Sequence, residues 1–572
     1  MVSDTNRPKQ FETPMEPPPR TPEEESVMTV RDKLRRVGGL KLAVALAIMG
    51  AAAAAPPVRA EGAAPAHALK VEAGQIADVA PDASGVRSLK GIPFAAPPVG
   101  NLRWKAPQPV TAWEGERHAT QFGPRCMQSA RLGNIDPLNP RMSEDCLYLN
   151  IWTLAKSANE RLPVMVWIYG GSFNVGAGSE PWYDGTNLAK KGVVVVTLNY
   201  RVDVFGFLAH PELTAESGHG ASGNYGFMDQ IAALQWVKRN IASFGGDPGA
   251  VTIFGESAGS LSVSTLVASP VAKGLFQRAI GQSGAILYPD KSPFALPSLA
   301  KAEQAGTSFG AGLAAPSIVE LRAKSAEDVL QAAVVNPGGT SVSRLPIIDG
   351  YILPENAVEI FSKGQQNDVA LLAGATADEG TLFAARVQPP PTPVSFMEQV
   401  RKRFGERSDA VLTVYPANTP EQATASFAAL LGDDLISYPT WLWSGLHART
   451  GKGPVYRYSF ELRPPAPEAS LTPLASSGVF HTAEIVYVWD NLQVREWPWR
   501  PEDRRMAQLA SSYWVNFAKT GNPNGPGLPD WPAYSGSGDA KVMRFTAEPS
   551  SGPDPARSRY EVLDASYRPT LQ

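Results

Sequence analysis

Two cysteines and six histidines are all that a chain of 572 residues contains, and the scarcity of both narrows its chemistry. No Cys/His cluster with metal-ligand spacing is present, so neither a metal nor an organic cofactor is expected. Long basic runs are also absent and the net charge is −3, which removes the electrostatic footprint needed for nucleic acid. After residue 60 no stretch is apolar enough to span a bilayer. What remains is a globular composition, 43% hydrophobic and 19% charged, with ample apolar surface for a core.

The N-terminus reads as processing signal rather than fold. Residues 1–27 are rich in Pro and Glu and have little to bury, so they are expected to be disordered, with Met28 as an alternative start. Residues 28–60 carry a basic region (Arg31, Lys33, Arg35, Arg36, Lys41), an apolar run over 42–55, and small residues before Glu61. That is the pattern of a secretory signal peptide, with Arg35-Arg36 compatible with twin-arginine export. The run is short for a membrane span and no cysteine stands near the cleavage site for a lipid. The expected product is a single catalytic domain over 61–572, periplasmic or secreted, with no membrane anchor after cleavage. In an oxidising compartment Cys126 and Cys146 are expected to form a disulfide, worth about 3 kcal/mol by chain entropy. Two buried thiols are the alternative.

Short β-branched runs at 164–169, 193–200, 251–254, 370–373 and 455–462 alternate with helical spacing, as over 229–244, where Ile231, Leu234, Val237 and Ile241 share a face. Continuous apolar strands alternating with helices indicate an α/β fold around a mostly parallel sheet covered on both faces. The Pro-rich segment 388–393 and the Gly/Ala-rich region 305–315 are expected to be loops of a helical cap.

Gly-x-Ser-x-Gly occurs twice, around Ser257 and around Ser308, so the motif alone cannot choose. A nucleophile elbow needs a buried strand, a tight turn and a helix. Ser257 has the apolar run 251–254 before it and a helical stretch after it, whereas a helical stretch precedes Ser308. Serine needs an imidazole to take its proton and a carboxylate to hold that imidazole. In the order Ser, acid, His, only His447 and His481 follow Ser257. His447 lies in a helical segment and is expected to be a partly exposed structural residue, while His481 ends a loop of small residues. Asp378 and Glu379 follow an apolar strand, and spacing does not decide between them. The glycine pair after the strand at 164–169 offers backbone N–H groups for an oxyanion.

Taken in order, Gly91-Ile92-Pro93-Phe94, Ser143-Glu144-Asp145-Cys146-Leu147-Tyr148-Leu149-Asn150, Asn199-Tyr200-Arg201-Val202, Phe254-Gly255-Glu256-Ser257-Ala258-Gly259 and Gly478-Val479-Phe480-His481-Thr482-Ala483-Glu484 resemble the type-B carboxylesterases, the family of cholinesterases and bacterial para-nitrobenzyl esterases. The resemblance spans nearly all of 61–572. It implies an α/β-hydrolase fold and a Ser257–His481–Glu379 triad, the glutamate of the Asp-Glu-Gly motif being the acid. It further implies an oxyanion hole from the N–H groups of Gly171, Ser172 and Ala258, a Cys126–Cys146 disulfide, and ion pairs Arg103–Glu144 and Arg201–Asp229. Glu256 and Glu484 are expected beside the triad without contacting substrate. The implied activity is hydrolysis of small to medium organic esters through an acyl-enzyme. A non-catalytic binding protein on the same scaffold, and an amide or carbamate hydrolase, are the alternatives.

Three departures from the family pattern stand out: Ser172 replaces a third glycine, Asp203 stands where glycine is common, and no Trp lies between Cys126 and Cys146. Without that Trp the cation–π platform for a quaternary ammonium is missing, which argues against a choline ester. Specificity is expected to reside within 290–350 and 380–450.

Overall fold

The computed structural model describes residues 68–129, 139–335, 345–465 and 478–568, which fall in one compact unit. The expected leader at 28–60 and the preceding 1–27 lie outside the described residues.

Runs of β-branched and aromatic residues supply ten strands to one sheet. In chain order these are β1 (Arg87–Pro93), β2 (Tyr148–Thr153), β3 (Leu162–Ile168), β4 (Val194–Leu198), β5 (Gly246–Glu256), β6 (Arg278–Gln282), β7 (Ala370–Thr376), β8 (Val455–Phe460), β9 (Lys541–Phe545) and β10 (Ser550–Pro553). Their spatial order is β1-β2-β4-β3-β5-β6-β7-β8-β9-β10. Pairing is parallel from β4 through β9, with antiparallel β1, β2 and β10 outside it. In β4 every residue is buried, Val194, Val195 and Val196 included, as a strand covered on both faces requires.

Helices cover the sheet: α1 (Tyr225–Asn240), α2 (Ala258–Ala268), α3 (Leu299–Gly312), α4 (Pro393–Phe404), α5 (Pro420–Gly432), α6 (Tyr438–Thr450), α7 (Pro501–Thr520) and α8 (Arg557–Tyr567). Helices α2 and α7 pack on β3 and β5, and α6 packs on β7 and β8. Among the described residues no helix is long and apolar enough to cross a membrane.

Two expectations need correcting. The Gly/Ala-rich region 305–315 is helical up to Gly312, as part of α3. Its glycines allow the helix to lie on backbone, since a Cβ on Gly306 would stand 1.8 Å from the Ala209 carbonyl oxygen. The segment read as one helix over 229–244 starts earlier, at Tyr225, and becomes a 3-10 turn over Ile241–Phe244.

Candidate active site

Strand order decides which side chains can meet. β5, central in the sheet, ends at Glu256, and the chain turns sharply at Ser257 into α2. Ser257 has φ 56° and ψ −125°, a conformation that is costly for a residue with a side chain and lifts the hydroxyl off the sheet. Close approach explains the flanking glycines. A Cβ on Gly255 would stand 2.6 Å, and one on Gly259 2.0 Å, from the Ile168 carbonyl oxygen. The Ser257 N–H donates to the Gln282 carbonyl at 2.9 Å, tying the elbow to the end of β6.

On one side of β5, β3 leads into the glycine loop. Gly171, Ser172 and Phe173 all have positive φ, at 103°, 56° and 58°. The Gly171 carbonyl accepts from the N–H groups of Asn174 and Val175, at 3.0 and 3.2 Å, closing a tight turn. The ends of β3 and β4 are clasped where the Tyr169 hydroxyl donates to the Tyr200 carbonyl and the Tyr200 hydroxyl donates to the Tyr169 carbonyl, both at 2.9 Å. Asp203, at φ 53°, takes up the left-handed backbone that explains why glycine is common there. Its N–H donates at 2.6 Å to the Phe173 carbonyl, so the departure sits directly against the loop.

On the other side, β7 delivers Asp378 and Glu379. A parallel bridge between Asp378 and Phe480 draws in the loop that carries His481. His481 Nε2 then lies 2.9 Å from Ser257 Oγ, and Nδ1 lies 2.5 Å from Glu379 Oε2. The other oxygen, Glu379 Oε1, accepts the Thr376 N–H at 2.7 Å. Asp378, the neighbour that spacing left open, accepts the Val479 N–H at 2.7 Å instead. Thus Ser257, His481 and Glu379 are brought into one row, with Ala258 next in the chain after Ser257 and the glycine loop approaching it through Gly170, where an added Cβ would stand 3.0 Å from Ser257 Cβ.

Burial sets the electrostatics. It would by itself lower the His481 imidazole, yet the carboxylates of Glu256 and Glu379 outweigh it and hold the group at about 9. Glu256 Oε1 approaches His481 Nε2 at 3.3 Å. Burial pushes the Glu256 carboxyl well above its ordinary value and, with help from Glu379, takes Glu484 to about 7. Glu484 accepts at 3.0 Å from the Ser283 hydroxyl, a partner that lies 201 residues away in sequence.

The remaining expected groups are also placed. Cys126 and Cys146 form a disulfide with S–S 2.06 Å. Arg103 pairs with Glu144 through two contacts of 2.6 Å, and Arg201 pairs with Asp229 at 2.7 and 2.8 Å. Ser308 lies on α3, its hydroxyl bonded back to the Gln304 carbonyl at 3.0 Å, remote from any strand-to-helix turn. His447 corrects an expectation: it is not partly exposed but fully buried, its Nε2 2.8 Å from the Val369 carbonyl oxygen. The cavity beside Ser257, of about 160 Å³, is lined from 170–183, by Glu256 and from 482–495.

Residues 68–562 match the model of the carboxylesterase family. Fumonisin B1 esterase of Sphingopyxis macrogoltabida is 38% identical over 513 residues, covering 87% of this chain and 90% of that protein. Para-nitrobenzyl esterase of Bacillus subtilis is 37% identical, covering 79% of this chain and 89% of that one. Among solved structures, a para-nitrobenzyl esterase aligns with TM-score 0.73 and 34% identity over 87% of this chain and all of its own. A Geobacillus stearothermophilus carboxylesterase aligns with TM-score 0.74 and 34% identity, over 86% of this chain and 99% of its own.

Proposed function

Because the chain belongs to the carboxylesterase family and is a carboxylic ester hydrolase of α/β-hydrolase fold, we propose that it cleaves small to medium organic esters with Ser257 as nucleophile, His481 as base and Glu379 as the acid behind it. The observation that carries the roles is the row Ser257 Oγ–His481 Nε2 at 2.9 Å and His481 Nδ1–Glu379 Oε2 at 2.5 Å.

Ser257 Oγ attacks the ester carbonyl carbon while its proton passes to His481 Nε2. The imidazolium so formed is held by Glu379. Charge arriving on the carbonyl oxygen is met by the N–H groups of Gly171, Ser172 and Ala258. Collapse breaks the bond to the alcohol oxygen, which takes the proton from His481 and leaves an acyl group on Ser257. Water then gives its proton to His481 and attacks that acyl carbon, and the acid departs as Ser257 regains its hydrogen. The raised imidazole pKa favours the protonated state on which both collapse steps depend.

Export is part of the same reading: the leader at 28–60 sends the chain to the periplasm or outside, where the Cys126–Cys146 disulfide can persist. The deciding experiment is Ser257→Ala in the full chain, assayed on a chromogenic short-chain ester with a matched anilide beside it. Turnover of the ester should vanish in the variant. Retained activity would overturn the assignment, and wild-type preference for the anilide would move the substrate class to amides.

A further inference from the structure

The cavity beside Ser257 contains a guanidinium that forms no ion pair among the described residues. Arg495 lines this space with Gly170, Gly171, Tyr183, Glu256 and Thr482. Gly170 lies directly against the nucleophile, since a Cβ added to it would stand 3.0 Å from Ser257 Cβ. A substituent entering the cavity would therefore belong to a molecule whose carbonyl could reach Ser257.

We propose that Arg495 receives a carboxylate carried by the substrate, so that the preferred esters are acidic ones with an ionised carboxyl group close to the scissile carbonyl. The inference rests on the esterase reading above and specifies its substrate class. Three buried arginines here hold acids: Arg103 holds Glu144, Arg201 holds Asp229 and Arg457 holds Asp554. Arg495 makes no ion pair among the described residues, and its charged group meets aromatic rings instead, 4.7 Å from the Trp497 centroid and 5.6 Å from that of Trp182. Burial pulls it below the ordinary arginine value, opposed only by the Tyr183 phenol. A half-buried guanidinium set among aromatic rings, with no acid paired to it among the described residues, is a group an incoming carboxylate can meet in the two-pronged geometry guanidinium favours.

The position is held rather than loose. The Arg495 carbonyl accepts from the Trp497 N–H at 2.8 Å and from the Trp499 indole at 3.0 Å. The Asn491 amide donates to the carbonyls of Trp182 and Asp184, at 3.1 and 2.9 Å, locking the facing turn to the same segment. Tyr183 is fixed from below by Trp167, 4.8 Å away between ring centroids. The acids of the cavity do not defeat the idea. Glu256 turns its carboxyl to His481, Oε1 lying 3.3 Å from Nε2, and among the described residues neither it nor Glu180 forms an ion pair with Arg495.

The test uses two ester pairs matched in shape on the full chain. One pair carries the carboxylate on the acyl side (mono-4-nitrophenyl glutarate against 4-nitrophenyl pentanoate). The other carries it on the alcohol side (3-acetoxybenzoate against phenyl acetate). In at least one pair, Arg495→Gln should lower the acidic-over-neutral ratio of kcat/KM about tenfold. Arg495→Lys should fall between, and added salt should compress the wild-type ratio. A ratio unchanged in both pairs, or equal loss on acidic and neutral members, would overturn the proposal while leaving the esterase reading standing. Wild-type inertness toward all four esters would instead overturn that reading, and this one with it.

Discussion

Gly259, the second residue of α2, lies so close to Ile168, the last residue of β3, that a Cβ would stand 2.0 Å from the Ile168 carbonyl oxygen. The obstacle is backbone, which cannot rotate away, and Gly255 meets the same oxygen from the far side of Ser257. Gly259→Ala should force α2 off β3, destabilise the protein by about 2 kcal/mol or more and move Ser257 out of reach of His481. Thermal melts and kcat on a chromogenic ester should fall together. A variant that kept both would contradict the packing described.

Glu256 shares with His481 a buried contact of 3.3 Å. As a base the imidazole must be neutral, so the ascending limb of kcat/KM against pH follows its pKa, which stands at about 9, Glu256 being the carboxylate that raises it most. Removing that carboxylate in Glu256→Gln should lower the imidazole pKa and shift the limb toward acid by at least about half a pH unit. An unmoved limb would show that the carboxyl does not couple to the base.

Asp378 and Glu379 are adjacent in sequence and opposite in duty. Glu379 reaches His481, whereas Asp378 fastens the His481 loop through the Val479 N–H. Glu379→Gln should lower kcat about a thousandfold or more, since an amide cannot stabilise the imidazolium in the same way. Asp378→Asn keeps an oxygen acceptor for Val479 and should reduce kcat by less than about tenfold, with a lower melting temperature. Reversal of the two effects would exchange the roles.

That pair also marks how far the sequence could be read. Strands such as β4 and β5 announce themselves because continuous apolar runs admit few other structures, and the Ser257 elbow follows from a strand before it and a helix after it. Which of two adjacent carboxylates turns toward His481 depends on a loop about a hundred residues away, so spacing could not decide it. Arg495, the Tyr169–Tyr200 clasp and Ser283 went unseen for the same reason: their meaning lies in partners distant along the chain. The glycines of α3 misled in the other direction. Their low helix propensity suggested a loop, but at Gly306 the missing side chain is what lets the helix rest on Ala209.

His447 is the case where a modest expectation gives way to a stronger one. It is fully buried on α6, with Nε2 bonded to the Val369 carbonyl and no partner at Nδ1. Burial holds its pKa below the ordinary 6.5, although the Val369 bond and Asp368 pull the other way. The unfolded chain therefore binds the proton more readily than the native one. The stability this residue contributes is complete above about pH 6.5 and is lost as pH falls from there toward the native pKa. His447→Gln retains a donor for Val369 but does not titrate. Its melting temperature should fall less steeply than that of wild type between pH 7 and pH 5, while kcat near neutrality stays within about twofold, because the side chain is remote from Ser257. Parallel melting curves for the two proteins across that range would show that the imidazole is not the source of the acid sensitivity.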